Sequence, residues 1–152
     1  MRKGAISIPG KRYRLWRIWD EQRPYILFIL LNPSKGDATK DDPSIKRLIS
    51  FAKAFSYGGL YLGNLYSHVT PFPKNLESMD LNPEQENINH VKGMMHLCQA
   101  VVYAWGNHGS LPHWLKEIED QPLCFGYTKK GCPKHPLYLA KSSALIPYEK
   151  KI

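Results

Sequence analysis

The sequence predicts a single α/β domain of three layers, with a mainly parallel central sheet of four strands and an antiparallel N-terminal edge strand. Short apolar segments alternate with amphipathic segments of helical period, as in parallel sheets with helical crossovers. Residues 26–31 are continuously apolar, as in a strand covered on both faces. The chain has 152 residues, 43% of them hydrophobic, so residues 1–152 are expected to share one core.

The first predicted strand comprises residues 13–19. We expect it to pair antiparallel with the strand at residues 26–31, because the turn between them contains Arg23 and Pro24. It would then form one edge of the sheet.

A helix is predicted over residues 43–55. Its apolar residues recur at steps of three and four and define one buried face, comprising Ile45, Leu48, Ile49 and Ala52. Asp42 before Pro43 is typical of an N-cap followed by proline at the first helical position. A strand at residues 59–64 follows the helix.

The second half of the chain continues this alternation. Residues 67–81 are polar and contain prolines, which predicts a long loop over the strand ends. The remaining elements are a helix at 82–99, a strand at 100–105, a helix at 111–118, a strand at 123–127 and an exit loop at 129–139.

Polar and aromatic residues follow the four central strands. They are Asn32, Pro33 and Ser34, then Asn64, then Trp105, Gly106 and Asn107, and finally His135 with Pro136. Ligands of α/β sheets bind beyond the carboxyl ends of the strands, so we expect these residues to line one cleft. Side-chain amides offer a donor and an acceptor, which suits a nucleobase edge. A plain turn is the alternative interpretation of Asn-Pro-Ser.

The chain is basic, with a net charge of +8 and a pI near 9.4. This favours a phosphate-rich partner, namely nucleic acid or a nucleotide, although a basic surface can also serve solubility alone. Lys129, Lys130 and Lys134 in the last loop are predicted to bind phosphates. No obligate protein partner is indicated.

Several classes of protein are not indicated. No segment approaches the roughly 20 apolar residues of a membrane span, and the N-terminal residues lack a signal-peptide centre, so we expect a cytoplasmic protein without membrane association. The histidines and cysteines follow no recognised ligand spacing, so no metal and no cofactor are expected. Asp37, Asp41 and Asp42 could still hold magnesium through a few oxygens.

Four segments together carry a resemblance to a known family. They read LNPSKGDATKDDPSIKR, YGGLYLGNLYS, AWGNHG and GYTKKGCPKHPLYL. From Tyr13 to Pro147 the sequence resembles an uncharacterised family of short bacterial and phage-encoded proteins, catalogued as domain of unknown function 1643. That resemblance implies no activity.

A more distant resemblance does imply one. Strand ends with Asn32-Pro33, Asn64 and Gly106, together with a loop containing His135-Pro136, are similar to the uracil-DNA glycosylase superfamily. The resemblance implies a glycosylase-like fold, in which Asn32 positions water and Asn64 reads the base. His135 would support the departing base or a strained phosphate.

The expected reaction is hydrolysis of the N-glycosidic bond of a modified or mismatched base in nucleic acid, with DNA as the first candidate. Asp37 is the carboxylate expected to act as general base. Tyr66 and Trp105 would face the extruded base, unless both are ordinary core aromatics. Two other classes stay open: a hydrolase or transferase of a free nucleotide or nucleoside, and a non-catalytic binder of nucleic acid or nucleotide.

Overall fold

The computed structural model describes residues 1–79 and 81–149. The strands are β1 (Arg2–Ile8), β2 (Lys11–Ile18), β3 (Tyr25–Leu30), β4 (Gly59–Asn64), β5 (Ala100–Tyr103), β6 (Leu123–Cys124) and β7 (Ile146–Pro147). The helices are α1 (Pro43–Ala54), α2 (Gln85–Leu97) and α3 (His113–Ile118). The described strands form a mixed seven-stranded sheet in the order β1-β2-β4-β3-β5-β6-β7, which confirms the predicted α/β class.

Alternate residues of β3 lie on opposite faces of the sheet, as strand geometry requires. Ile26 and Phe28 pack in one apolar cluster with Leu48 of α1. Leu27 and Ile29 pack in a second cluster, which includes residues of α2 and α3. Both faces of β3 are therefore buried, and this explains its continuous apolar sequence.

The order of the central strands places a reversal of winding between β3 and β5. β3 pairs in parallel with β4 on one side and with β5 on the other, and β6 continues the parallel pairing beyond β5. The chain passes from β3 through α1 to β4, and then returns through α2 on the other face to β5. Ligands of open α/β sheets bind at such a reversal, beyond the carboxyl ends of the strands.

The edges of the sheet differ from the prediction. The expected antiparallel pairing of residues 13–19 with residues 26–31 is wrong, because β4 and β5 occupy both edges of β3 and β2 pairs antiparallel with β4 instead. The sequence also predicted neither β1 nor β7. Most of β1 is exposed and β7 has 2 residues, so neither carries a strong apolar pattern.

The residues around Asp42 correctly predicted the start of α1. Asp42 accepts a hydrogen bond of 2.9 Å from the Ile45 N–H, which confirms the predicted N-cap. The predicted loop at 67–81 contains a 3₁₀ helix (Pro73–Ser78), and Asp80 of that loop lies outside the described residues. Within residues 1–79 and 81–149, no helix combines the length and apolar character needed to cross a membrane.

Candidate functional site

A cavity of about 490 Å³ opens at the carboxyl ends of β3 and β5, where the winding reverses. We call it the switch-point cavity. Its walls come from the chain after β3, the start of α1, the loop after β4, the chain after β5 and the last loop. The predicted site residues that line it are Asn32, Ser34, Trp105, Gly106, Asn107 and His135. Its size suits a small molecule or a single nucleotide.

The Asn32 side chain joins the wall after β3 to the loop after β4. Its Nδ2 donates to the carbonyl oxygens of His68 at 3.1 Å and Thr70 at 2.8 Å, and also to that of Pro33 at 2.9 Å. The Thr70 N–H returns a bond of 3.0 Å to the Pro33 carbonyl. With the amide nitrogen so engaged, Oδ1 is the Asn32 group left to accept a hydrogen bond from a molecule in the cavity.

His135 lies on the same cavity, close to the exit of β5. The Leu137 N–H donates to His135 Nδ1 at 3.2 Å, so the neutral ring carries its proton on Nε2. Burial lowers the pKa of His135, while the nearby Asp42 carboxylate partly opposes that shift. His135 therefore offers an uncharged N–H donor at neutral pH.

Gly106 allows the last loop, which carries His135, to lie close to the end of β5. Its φ of +75° is a left-handed conformation that glycine adopts without strain, and a Cβ there would stand 3.5 Å from His135 Cβ. The Gly106 N–H donates to the Pro133 carbonyl at 2.9 Å. The last loop is thus attached to the end of β5.

The depressed pKa of His135 predicts a pH dependence of stability. His135 binds a proton more readily in the unfolded chain than in the folded one. The free energy of unfolding should therefore be highest above a pH of about 6.5, and it should decline as pH falls through the pKa of His135 in the folded protein. His135→Asn keeps an acceptor for the Leu137 N–H but does not titrate. Chemical denaturation between about pH 5 and 8 should show a shallower decline for this variant. Equal declines in variant and parent would contradict the burial of a neutral His135.

One wall of the cavity suits an anionic group. Pro43 and Ser44 begin α1 there, but the Asp42 carboxylate already caps this end of the helix, so the cations of the wall carry its attraction for an anion. Lys35 and His108 also line it. Sequence reasoning missed these residues as site residues, although the predicted N-cap at Asp42 already placed a helix start after the first central strand. No local signal identified His108.

Asp42 is the carboxylate that lines this cavity. Asp37, predicted as the general base, lines a separate surface depression instead. Hydrogen bonds from the backbone N–H groups of Lys40 and Thr39 lower the pKa of Asp37, and the same bonds close the turn at residues 37–40. The geometry thus gives Asp37 a role in forming this loop.

Asn64 and Pro33 lie near the cavity but do not line it. Asn64 has no exposed surface, and neither Oδ1 nor Nδ2 has a hydrogen-bond partner among the described residues. It follows Leu60 and Leu62 on the face of β4 that packs against α1. Pro33 is buried and contributes its carbonyl to the bonds described above.

The other predicted residues belong to different surfaces. Tyr66 lines a smaller cleft of about 210 Å³. Lys129 and Lys130 lie exposed in the turn at 128–132, and Lys130 borders a cleft of about 320 Å³ that Trp105 also lines. Lys134 is partly buried, and its side chain passes near Gly126. The structure does not bring the three lysines to the switch-point cavity.

A buried arginine holds the loop that continues from the cavity wall. Arg17 has no exposed side-chain surface and pairs with Asp41 through Nε at 2.7 Å. Its remaining nitrogens donate to backbone carbonyls, among them those of Asp37 at 2.6 Å, Lys40 at 3.2 Å and Ala38 at 3.3 Å. Although burial acts to raise it, the hydrogen bonds and charges of Arg17 and Lys3 lower the pKa of Asp41. The buried Arg17 side chain therefore holds the loop between Ser34 and Asp42 in place.

Fold and site together define an α/β protein with a ligand-sized cavity at the switch point of its sheet. Residues 12–137 match the model of a family described as protein of unknown function (DUF1643), and the chain belongs to this family. Neither the curated proteins nor the solved structures contain a significant match. In the described part of the chain, no group of three or more His, Cys, Asp and Glu side chains is arranged to hold a metal ion.

Proposed function

We propose that this protein hydrolyses the N-glycosidic bond of a nucleobase that enters the switch-point cavity, with a modified or mismatched base in nucleic acid as the substrate class. The observation that carries the proposal is the pairing of two neutral polar groups on one cavity. Asn32 presents an acceptor oxygen and His135 presents a donor Nε2–H. A base-releasing reaction needs a positioned water and a donor for the departing base.

In the proposed reaction, the bond between the anomeric carbon and the base nitrogen breaks, and its electron pair leaves on the base. The His135 Nε2–H donates a hydrogen bond to the base and so stabilises the developing negative charge. A water held by Asn32 Oδ1 bonds to the anomeric carbon from the opposite side. Its proton passes to Asp42, whose carboxylate lies on the cavity while that of Asp37 does not.

The cavity also supports recognition of the base and an attached phosphate. Trp105 is 3% exposed and is one of the residues that line the cavity, so in this proposal it provides part of an apolar wall for a flat base. Lys35, which also lines the cavity, favours a phosphate attached to the nucleoside. Asn107 and Ser34 add polar groups to the lining. We infer a cytoplasmic location, where such substrates occur.

Screening for released bases by mass spectrometry tests the proposal. The panel comprises modified and unmodified DNA and RNA together with free nucleosides and nucleotides. Release of a base from any polymer by the parent protein, and its loss in Asn32→Ala, is the expected result. If members of the panel bind to the cavity and all remain intact, the protein is a non-catalytic binder and the proposed reaction is wrong.

A second candidate, a hydrolase or transferase of a free nucleotide or nucleoside, is favoured by one observation. Lys129, Lys130 and Lys134, which were predicted to bind phosphates of a polymer, do not line the cavity. The cavity alone has room for one nucleotide. Base release or transfer from nucleotides without any release from polymers would identify this activity.

The three lysines provide a separate prediction about polymer binding. If a polymer in the cavity also extends over the last loop, replacing Lys129, Lys130 and Lys134 with glutamine should weaken binding equally for all sequences, because phosphate contacts carry no base information. The slope of log affinity against log salt should flatten by roughly two to three units. Fluorescence anisotropy of a labelled oligonucleotide at several salt concentrations measures it. An unchanged slope would show that these lysines contact solvent and do not bind phosphates.

A further inference from the structure

A second concave surface, of about 630 Å³, continues from the switch-point cavity along α1. The two share Pro43 and Leu137 in their walls, so a ligand in the cavity could extend into it. Its cations are Lys46 and Arg47 of α1 and Lys141, which lies between β6 and β7. We call this surface the basic groove.

The charge of the basic groove is uncompensated. Its lining includes no Asp or Glu, and none of its three cations forms an ion pair with another described residue. Positive groups gathered on one surface without carboxylates attract a polyanion. The groove therefore has the charge that a phosphate backbone requires.

Arg47 gives a second, independent indication. Its guanidinium lies over the Phe51 ring, 5.4 Å from the ring centroid. Nε and Nη2 are both buried without a hydrogen-bond partner among the described residues. Buried donors without acceptors are costly, and the planar guanidinium is suited to two oxygens of one phosphate. If the guanidinium turns from the Phe51 ring toward the groove, an anion there would supply the acceptors that these nitrogens lack.

An exposed aromatic residue follows the groove lining directly in sequence. Tyr138 follows Leu137, which belongs to both cavity and groove, and it is 94% exposed. Its φ of +73° is a left-handed conformation that is unusual for a tyrosine and directs this residue away from the core. Exposed rings next to cations are the combination with which proteins bind single-stranded nucleic acid.

We propose that the basic groove binds the phosphates of a single-stranded polynucleotide whose target nucleotide occupies the switch-point cavity, and that Tyr138 stacks on a neighbouring base. This inference rests on the proposed function and narrows its substrate to a modified base in a single strand, since a mismatched base exists only in a duplex. A single strand is specified because a ring can stack only on a base face that no neighbouring base pair covers.

The first test removes two cations that do not cover the core. Lys46→Gln with Lys141→Gln should weaken binding of a labelled thymidine oligonucleotide, about 10 nucleotides long, and flatten its log–log salt slope by about 1.4 units, as expected for two lost phosphate contacts. The matched control is Lys92→Gln with Lys116→Gln, which removes the same charge from α2 and α3 on the other face of the sheet. The control should keep the parental slope.

Equal slopes for the two double variants would overturn the groove assignment. A duplex of the same length that binds as tightly as the single strand, and loses as much affinity in the Lys46 and Lys141 variant, would overturn the single-strand assignment. Because the readout is binding, its result is separate from that of the base-release screen. Groove-dependent binding without any base release would refute the proposed reaction alone.

The second test concerns the Tyr138 ring. Tyr138→Gly should lower affinity for the oligonucleotide by about tenfold, in line with the loss of one stacked base, and should leave the salt slope unchanged. Glycine adopts the observed φ more easily, so folding should be preserved. Parental affinity in a folded Tyr138→Gly variant would refute the stacking role.

Discussion

Replacing Asn32 with alanine is expected to reduce the rate of base release by about 10²- to 10³-fold, as the loss of a single positioning or oxyanion group does in other enzymes. The variant loses Oδ1 as the acceptor for water. It also loses the Nδ2 bonds to the carbonyls of His68 and Thr70, so unfolding free energy should fall by about 1–3 kcal/mol. Rates are therefore measured well below the melting temperature of the variant.

Asn75→Ala is the matched control for this change. Asn75 donates to the Thr70 hydroxyl at 3.0 Å and so supports the same loop, but it does not line the cavity. The control should lose stability and keep most of its rate. If both variants lose rate equally, Asn32 acts by holding the loop and has no direct part in the chemistry.

Arg17→Met should have the largest effect on folding. The substitution leaves Asp41 and the carbonyls of Asp37 and Lys40 without their shared donor in a buried place. Breaking a buried pair in this way costs about 3–5 kcal/mol, which corresponds to a fall in melting temperature on the order of 10 °C for a chain of this size. Thermal and urea unfolding, followed by circular dichroism, measure both.

Arg23→Met is the control for loss of an arginine charge. Arg23 pairs with Asp20 at 3.4 Å, but its side chain is 57% exposed. Exposed ion pairs contribute about 0–1 kcal/mol, so this variant should melt close to the parent. Similar melting of the Arg17 and Arg23 variants would show that the loop at residues 37–41 does not depend on the buried guanidinium.

The sequence predicted the central elements because their signals are local. The continuous apolar run of β3, the three- and four-residue steps of α1 and the Asp42-Pro43 start of that helix each depend on near neighbours. The partner of β2 depends on which strands already occupy the edges of β3, which is set by the whole sheet. A short turn between two strands was therefore an insufficient reason to pair them.

The same distinction applies to the site. Asn32, Trp105 and His135 were predicted because the exits of parallel strands meet at one edge of a sheet. Asn64 also ends a strand, but its side chain is fully buried with Leu60 and Leu62 on the face of β4 that packs against α1, and it does not line the cavity.

The loop residues followed no such rule. Lys35 reaches the cavity and Asp37 does not, because the Asp37 turn and the Arg17 bonds direct the chain between them. These contacts join residues far apart in sequence, so no local pattern could have predicted them.

The bonds that join the cavity walls determine how a ligand would be received. Asn32 connects the wall after β3 to the loop at residues 68–70, and Gly106 connects β5 to the last loop. The conformational entropy of these segments is lost when the chain folds, so little remains to be lost when a ligand arrives. The cavity should therefore be preorganised for its ligand. The free and ligand-bound structures should superpose closely, and affinity should depend on direct contacts rather than on the ordering of a lid.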